Sequence, residues 1–353
     1  MRLNRIRLVR LRVAPLLILT LVLASRAASA DQILWTSNGA NNDPEIKRAN
    51  VDGTNIQAVL PARQSTNVLS LAIDSRDGWM YYGRWAADYS IYRRPIDGGS
   101  ESLVYDLHAL DVFQPSGGNN EATPWGLSID TVHNKLYWSA GENPSHSSAV
   151  NVTTFIQRSN LDGTNVELLR QGTSNTFSPI GIVVDGASQK LYWFDFATDS
   201  IRSSNLDGTG VQNVVTGAID PMALAIDFDD QRLFWTEPSV SGQGRVRTAN
   251  LDGSGVQTVV SAGLLQTTGV AVDSIHNLLY MTDDHFQGTG RILQSNYDGT
   301  NLQELITQQP RAWAIALYSP VPEPSTWALV CGTLPIAVFV LRRRRSTPAT
   351  CSP

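Results

Sequence analysis

Cysteine, histidine and charge are all scarce in this sequence. Its 353 residues include two cysteines and five histidines, and 17% of them are charged. Both cysteines, Cys331 and Cys351, lie in the last 23 residues, so residues 31–320 can form neither a disulfide nor a thiolate-ligated metal site. The hydrophobic content of 42% is nevertheless too high for a disordered chain.

Several catalytic motifs are also missing. The sequence has no G-x-S-x-G nucleophile elbow, no H-E-x-x-H pair and no phosphate-binding loop, and its histidines are scattered. We therefore expect a protein that is not an enzyme and that needs no cofactor.

Positive charge is concentrated at the two ends. Ten of the 27 basic residues are arginines in residues 1–30 or in the run Arg342–Arg345, whereas Glu323 is the one acid outside residues 31–320. Residues 31–320 therefore hold 17 basic and 31 acidic residues, a net charge of −14. Such a surface repels nucleic acid and anionic lipid, so neither is an expected partner.

The N-terminus has the three parts of a secretory signal. Five arginines lie within residues 2–12, the apolar run 13–23 follows, and Ala28-Ser29-Ala30 offers the small residues that signal peptidase accepts. As a helix the run is about 16 Å long, shorter than a bilayer core of about 30 Å. We expect residues 1–30 to be a cleaved signal peptide, the alternative being an uncleaved anchor.

The C-terminus combines a short motif, an apolar stretch and a basic cluster. Pro322-Glu323-Pro324 lies within 321–325, residues 326–341 are predominantly apolar, and Arg342, Arg343, Arg344 and Arg345 follow. As a transmembrane helix, 326–341 would reach about 24 Å, and the arginines would stay on the cytoplasmic side. An ordinary tail anchor would explain this pattern.

The same order of features resembles the PEP-CTERM sorting signal of Gram-negative bacteria. The resemblance covers about 25 residues of 319–353 and implies processing by a membrane exosortase. It also implies a transient inner-membrane stage and delivery to the cell surface or extracellular matrix. The tail 346–353 is longer than that pattern usually shows.

Six Asp-Gly dipeptides reveal an internal repeat. They occur at 52–53, 97–98, 162–163, 207–208, 252–253 and 298–299, mostly 45 or 46 residues apart, in flanks such as IRSSNLDGTG and VRTANLDGSG. Asp-Gly between apolar runs predicts a tight hairpin, since glycine accepts the positive φ of the turn.

A second series precedes these hairpins. Five short apolar strands end in aspartate, and each is followed by an aromatic-rich triplet such as LYW or LFW. The five aspartates are Asp74, Asp130, Asp185, Asp227 and Asp273. Each unit reads as strands a, b, c and d, with tight a–b and c–d turns, and four antiparallel strands in about 46 residues form a propeller blade.

Both ends of the repeat region supply part of one blade. Residues 33–36 form a strand b that lacks its strand a, and residues 312–317 form a strand a that lacks its strand b. Pairing these two strands completes the blade, closes the ring and leaves no raw sheet edge for aggregation. The sequence therefore predicts an all-β, six-bladed β-propeller over residues 31–318.

The repeats resemble the YWTD, or low-density lipoprotein receptor class B, repeat. The resemblance rests on the triplet and hairpin, as in LYWFD and LFWTE, and spans six units. An acid stands at the fourth signature place in Asp195, Glu237 and Asp283, while Ser37, Arg84 and Ala140 replace it elsewhere. The family implies binding of protein ligands without catalysis, although the cysteine-rich modules of its receptors are absent.

The repeated tryptophans and the repeated aspartates can each be interpreted as structural or as functional residues. Trp35, Trp138, Trp193 and Trp235 could form an aromatic cage, but recurring aromatics are expected to fill the wedges between blades. The aspartate series could be a ring of metal ligands, but aspartates before turns are expected to bind backbone amides.

Binding is expected on the face that carries the b–c and d–a loops, which we name the loop face. The opposite face, with the a–b and c–d turns, is the turn face. The longest loops, 106–124 and 140–154, both belong to the third blade, where binding residues or neutral insertions are possible. The candidate ligand-binding residues are Trp85, Tyr89, Phe113, Trp125, Phe196, Phe286 and Arg311.

The axial rim on the loop face argues against a metal. Some six-bladed lactonases hold a divalent cation there with Glu, Asn and Asp, but the matching positions here are Leu69, Trp125, Ile180, Met222, Thr268 and Arg311. Such a ring offers too few oxygen ligands. We expect an exported binding propeller for a protein or polysaccharide, the alternatives being a secreted hydrolase or lactonase, or a structural matrix protein.

Overall fold

The computed structural model describes nine stretches of the chain. They are residues 32–38, 44–61, 67–85, 89–107, 122–141, 153–240, 243–284, 290–309 and 311–319. The predicted signal peptide and sorting signal lie outside the described residues, as do Phe113 and Phe286. In the described stretches we find no helix that is long and apolar enough to cross a bilayer.

The described chain folds into six four-stranded antiparallel sheets, the predicted blades. Blade 1 contains β1 (Gln32–Asn38), β2 (Pro44–Asn50), β3 (Gln57–Leu60) and β24 (Ala312–Tyr318); blade 2 contains β4 (Asn67–Asp74), β5 (Trp79–Trp85), β6 (Ser90–Pro95) and β7 (Ser102–Asp106); blade 3 contains β8 (Thr123–Asp130), β9 (Lys135–Gly141), β10 (Thr153–Asn160) and β11 (Glu167–Thr173). Blade 4 contains β12 (Pro179–Asp185), β13 (Lys190–Asp195), β14 (Ser200–Asn205) and β15 (Gln212–Thr216); blade 5 contains β16 (Leu224–Asp227), β17 (Arg232–Val240), β18 (Gln243–Asn250) and β19 (Gln257–Val260); blade 6 contains β20 (Thr267–Asp273), β21 (Leu278–Asp283), β22 (Gly290–Asn296) and β23 (Gln303–Gln309).

The first strands of the blades form a closed inner ring. Each of β4, β8, β12, β16, β20 and β24 contacts the next in this order, and β24 contacts β4 again. In blade 1, β24 pairs antiparallel with β1, with Gln32 opposite Tyr318 and Trp35 opposite Ile315. The predicted six-bladed ring and its closure by the first and last strands are therefore confirmed.

The Asp-Gly turns share one hydrogen-bond network. In the turn of blade 4, Asp207 accepts hydrogen bonds from the amide and the hydroxyl of Thr209 at 2.9 and 2.6 Å, and Asn205 donates to the same hydroxyl at 3.0 Å. Equivalent bonds recur in four other blades, around Asp52, Asp162, Asp252 and Asp298. Local side-chain bonds thus fix these turns before any long-range packing occurs.

Each of these turns also packs on the preceding blade. Strand d of every blade has a β-bulge, and in blades 2 to 6 the carbonyl of the bulged residue lies against the next Asp-Gly turn. A Cβ at Gly163 would lie 2.0 Å from the carbonyl oxygen of Val104, so only glycine allows this approach. The exception is Gly98, where a Cβ would meet no atom within 4 Å; here Asp97 forms an ion pair with Arg48 of blade 1 at 2.7 Å.

The recurring tryptophans fill the space between blades, as predicted. Trp35, Trp138, Trp193 and Trp235 are all fully buried. Tyr105 of blade 2 contacts Trp138 of blade 3 with ring centroids 5.0 Å apart, and Phe177 meets Trp193 edge-on at 6.2 Å. These side chains therefore stabilise the ring by packing and are not available as an aromatic cage.

Candidate functional site

The innermost strands turn side chains toward the propeller axis at β-bulges. The bulged residues are Leu69 in β4, Trp125 in β8, Gly181 in β12 and Thr268 in β20. In β24 the irregularity spans Trp313 and Ala314, between Ala312 and Ile315. Because a bulge re-aims the side chain that it carries, this repeated irregularity builds the axial rim.

Hydroxyl groups of the second strands stabilise this irregular backbone. The amide of Ala314 donates to Thr36 at 3.0 Å, and the amide of Ala223 donates to Thr236 at 3.2 Å. Thr282 instead donates to the carbonyl of Trp313 across the seam between blades 6 and 1, at 2.6 Å. The threonine of the repeat signature therefore satisfies backbone groups that the bulge removes from the ladder.

The bulged residues surround an axial cavity of about 90 Å³. Its lining includes Leu69, Trp125, Gly181, Met222, Thr268 and Trp313. The volume is well below the roughly 300–1,000 Å³ of small-molecule sites, so the axis itself is not a pocket for an organic ligand. Trp125, Met222 and Trp313 are nevertheless part-exposed, so the mouth of the cavity presents two indoles and a thioether.

The structure corrects two members of the predicted rim. In blade 4 the bulged residue is Gly181, whereas Ile180 pairs with Phe194 and packs against the hydrophobic core. In blade 1 the rim position belongs to Trp313, whereas Arg311 precedes β24 as an exposed residue with a φ of 42°. Sequence reasoning missed Trp313 because two residues of the closing strand stand opposite Thr36 in its bulge, and the strand has no terminal aspartate to align.

The acids at the fourth signature place anchor loops of the loop face. Asp195 accepts hydrogen bonds from the amides of Ser178 at 2.8 Å and Ala197 at 3.3 Å, and it forms an ion pair with Arg202 at 2.9 Å. Glu237 and Asp283 repeat this arrangement with Ile219 and Arg245, and with Gln266 and Arg291. A buried carboxylate thus connects a d–a loop to strand c in three consecutive blades.

Blade 2 carries the reverse charge at this place. Arg84, 1% exposed, forms an ion pair at 2.6 Å with Glu101, which directly precedes β7, and its guanidinium lies 4.4 Å from the centroid of the Tyr92 ring. Tyr82 also donates to Glu101, and burial together with this bond raises the pKa of Tyr82. Tyr92 stands where blade 4 has Arg202, so the ion pair is rebuilt with exchanged signs.

The aspartates that end the innermost strands bind turn amides, as predicted. Asp130 accepts from the amides of Val132 and His133 at 2.9 and 3.1 Å, and its second oxygen lies 2.7 Å from His133 Nδ1. Equivalent amide bonds occur at Asp74, Asp185, Asp227 and Asp273. In the part of the chain that the structure describes, no three His, Cys, Asp or Glu side chains form a group that could hold a metal ion.

The candidate ligand-binding residues that the structure describes do not lie together as one surface. Trp125 lies at the axial mouth, and Arg311 is exposed before β24. Phe196 is 43% exposed on the b–c loop of blade 4, edge-on to Phe194. Trp85 and Tyr89 pack against the hydrophobic cluster between blades 2 and 3, and Tyr89 is only 6% exposed.

No family model matches this sequence. Among curated proteins, it is 32% identical to Protein cueball of Drosophila erecta over 152 residues, which are 42% of this chain and 20% of that protein. It is 26% identical to the vitellogenin receptor Yl of Drosophila melanogaster over 213 residues, which are 60% of this chain and 9% of that receptor. The chain thus spans a small part of the length of these relatives.

Solved structures resemble this one over most of its length. A chain in the crystal structure of a nidogen/laminin complex matches with a TM-score of 0.62 and 21% identity, over 81% of this chain and 98% of that one. TolB from Acinetobacter baumannii matches with a TM-score of 0.59 and 11% identity, over 85% and 71%. At these identities the likeness shows the fold alone. The chain is a six-bladed β-propeller, and the relatives support the YWTD type predicted from its repeats.

Proposed function

We propose that this protein is an exported, non-catalytic binding propeller that holds a protein or polysaccharide ligand on its loop face. The observation that carries the proposal is the axial mouth, where Trp125 and Trp313 are part-exposed on a rigid ring of bulged strands. Part-exposed indoles bury a large area at low conformational cost, and tryptophan is enriched among residues that dominate binding energy.

The chemistry of the mouth favours binding over hydrolysis. Its lining side chains are aliphatic, aromatic, thioether or hydroxyl groups, and Thr268 donates its hydroxyl hydrogen bonds toward the carbonyls of Ala312 and Trp313. A divalent cation would need several oxygen ligands at this place. One similar protein is named as a vitellogenin receptor, and one similar structure is a chain in a nidogen/laminin complex; both names also favour binding.

The proposed export and sorting are supported by the two ends of the sequence. Ala28 and Ala30 form the cleavage site for signal peptidase in this proposal. An exosortase-type enzyme then acts on the Pro-Glu-Pro motif after a transient stage in the inner membrane. The mature protein reaches the cell surface or the extracellular matrix.

Ligand retention by the purified protein tests the binding proposal. Immobilised protein is incubated with extract of the producer's extracellular matrix and with a glycan array, and Trp125→Ala and Trp313→Ala are compared with wild type. We expect retention to weaken at least about tenfold in both variants, because each removes a large anchor from the mouth.

A matched control removes a tryptophan from the turn face. Trp79 begins β5, is part-exposed, and lies under Arg93 with 4.9 Å between guanidinium and ring centroid. Trp79→Ala should retain ligand as wild type does. Equal retention by all variants, or a stoichiometric catalytic metal in the purified protein, would contradict the proposal.

A further inference from the structure

One residue breaks the pattern of the outer strands. One position of strand d pairs with a fully buried isoleucine or valine of strand c in every blade, and at this position four blades have a buried aliphatic residue and blade 2 has a tyrosine. Blade 3 has Arg170. The equivalent residues are Leu60, Tyr105, Arg170, Val215, Val260 and Ile306. An arginine therefore occupies a place that this fold otherwise fills with core side chains.

The guanidinium of Arg170 lies at the seam between blades 3 and 4: it stacks on Phe177, which contacts Trp193, the residue paired with Arg202 of blade 4. Its Cζ lies 5.1 Å from the centroid of the Phe177 ring, on the d–a loop that leads into β12. Across the seam, Arg202 is the charged neighbour that opposes it, and Asp195 is the acid that acts on it. Burial and Arg202 together lower the pKa of Arg170.

The positive charge of this pair is only half compensated. Asp195 is fully buried and already binds Arg202 at 2.9 Å and the amides of Ser178 and Ala197. Among the described residues, no carboxylate forms an ion pair or hydrogen bond with Arg170, and its Nε is buried without a partner. At the equivalent place between blades 2 and 3, Tyr105 faces Gln157, and neither side chain is a cation.

Stability alone does not explain Arg170. A valine or leucine fills the same place in other blades without desolvating a charge, and two guanidinium groups held together repel each other. Local conflicts of this kind are expected at binding sites, where a ligand supplies the missing charge. The seam borders the loop face, because Phe177 and Ser178 belong to a d–a loop, and Arg170 and Arg202 are both part-exposed there.

We propose that Arg170 and Arg202 form an oxyanion site that takes one carboxylate group of a protein ligand. This inference rests on the proposed function and names the chemical group that the ligand presents. A guanidinium binds a planar carboxylate through two parallel hydrogen bonds, and the stacked position over Phe177 holds the group in place. The net charge of −14 in residues 31–320 disfavours a polyanion such as a polyuronate, so we assign the carboxylate to an acidic side chain.

Thermal unfolding of the purified full-length chain with defined probes tests the site. The probes are N-acetylglutamate amide and oligogalacturonate, each compared with chloride at equal ionic strength. We expect N-acetylglutamate amide at about ten times its dissociation constant to raise the wild-type midpoint by about 3 °C. Arg170→Val should lose at least three quarters of that shift, and its midpoint without probe should equal or exceed the wild-type midpoint.

Two further variants keep the result interpretable. Arg170→Gln retains the stem that covers Phe177 and removes the charge, so it should also lose the shift. Arg232→Leu removes a guanidinium of blade 5 that stacks on Phe234 at the same 5.1 Å, and it should keep the full shift.

The outcomes separate this site from the broader proposal. An equal probe shift in wild type and Arg170→Gln, or a large loss of stability in Arg170→Val, would overturn the site, because Arg170 would then be structural. A larger shift with oligogalacturonate than with N-acetylglutamate amide would overturn the assignment to a protein ligand. If the probe shift does not depend on Arg170 but Trp125→Ala and Trp313→Ala still weaken retention of matrix ligand, only the oxyanion site is overturned. If the probe shift depends on Arg170 but retention is equal in all tryptophan variants, only the loop-face proposal is overturned.

Discussion

The carbonyl oxygen of Val214 lies directly against Gly253 of the following blade, so that a Cβ at Gly253 would stand 1.9 Å from it. Val214 is the bulged residue of β15, and Gly253 belongs to the Asp-Gly turn of blade 5. The same approach occurs at Gly53, Gly163, Gly208 and Gly299, at 2.0 to 2.7 Å. The glycines of the repeat therefore serve the ring as well as their own turns.

Substituting alanine at Gly253 should destabilise the protein far more than the same change at Gly98. Both glycines have positive φ, 85° and 107°, so both variants carry backbone strain of about 1–2 kcal/mol. Only Gly253→Ala adds a clash with a neighbouring carbonyl, since a Cβ at Gly98 would meet no atom within 4 Å. We expect a loss of about 3 kcal/mol or more against about 1–2 kcal/mol in urea unfolding. Equal losses would show that the close approach is not maintained in solution.

Stability should fall at acid pH through the Asp-Gly turns. Hydrogen bonds from the hydroxyl and the amide of Thr209 lower the pKa of Asp207, and equivalent bonds lower the pKa of Asp52, Asp162, Asp252 and Asp298. A lowered folded-state pKa stabilises the protein above the unfolded pKa of about 3.8–4, and this contribution disappears as the pH falls through the folded value.

A variant without the hydroxyl isolates this effect. Thr209→Val removes the stronger donor and keeps the amide, so the pKa of Asp207 should rise toward 3.8 in a carboxyl-carbon NMR titration. Thr258→Val changes an exposed threonine of β19 and should leave the Asp207 titration unaltered. An unchanged pKa in Thr209→Val would mean that the hydroxyl bond does not form in solution.

Asp195→Asn should destabilise the protein by about 3 kcal/mol, because it removes the counter-charge of Arg202 from a buried site. Asparagine can still accept the amide of Ser178, so the effect isolates charge from loop anchoring. Urea unfolding of Asp195→Asn and of Asp195→Asn with Arg170→Val measures it. Adding Arg170→Val should recover part of the stability lost in Asp195→Asn, since it removes one of the two arginines near this carboxylate. If the double variant is no more stable than Asp195→Asn, Arg170 and Asp195 are not coupled.

The reversed pair of blade 2 should behave as one unit. Glu101→Gln removes the counter-charge of the buried Arg84 and should cost about 3 kcal/mol or more. Arg84→Met with Glu101→Gln should be less harmful than the two single changes added together, because no charge then remains buried at this place. A double-mutant cycle in urea measures the coupling, and strict additivity would contradict it.

The propeller was predictable because each hairpin repeats its own local chemistry. Asp-Gly, its following threonine and the aspartates such as Asp130 bind their own turns, so their spacing marks the strands without knowledge of the neighbours. Closure of the ring was predictable because the first and last segments of the repeat region each lack a strand that the other supplies. The pairing of Trp35 with Ile315 confirms this closure.

The rim and the seams could not be derived in the same way. The bulge of blade 4 lies four residues before the aspartate and not five, as in blades 2, 3 and 6, so counting back from Asp185 gives Ile180 instead of Gly181. Arg170 lies in a strand d that has no sequence motif, and its conflict with Arg202 arises only when two blades meet. Such features depend on contacts between units rather than on the repeat itself.

Hydrogen bonds between β24 and β1, and not a covalent link, complete blade 1. A circular permutant that joins Tyr318 to Gln32 by a short linker would keep every sheet in its present order. The Asp-Gly turn at Gly98 offers the matching place for new termini, since no neighbouring backbone crowds it. The chain termini can therefore be moved to another blade by circular permutation.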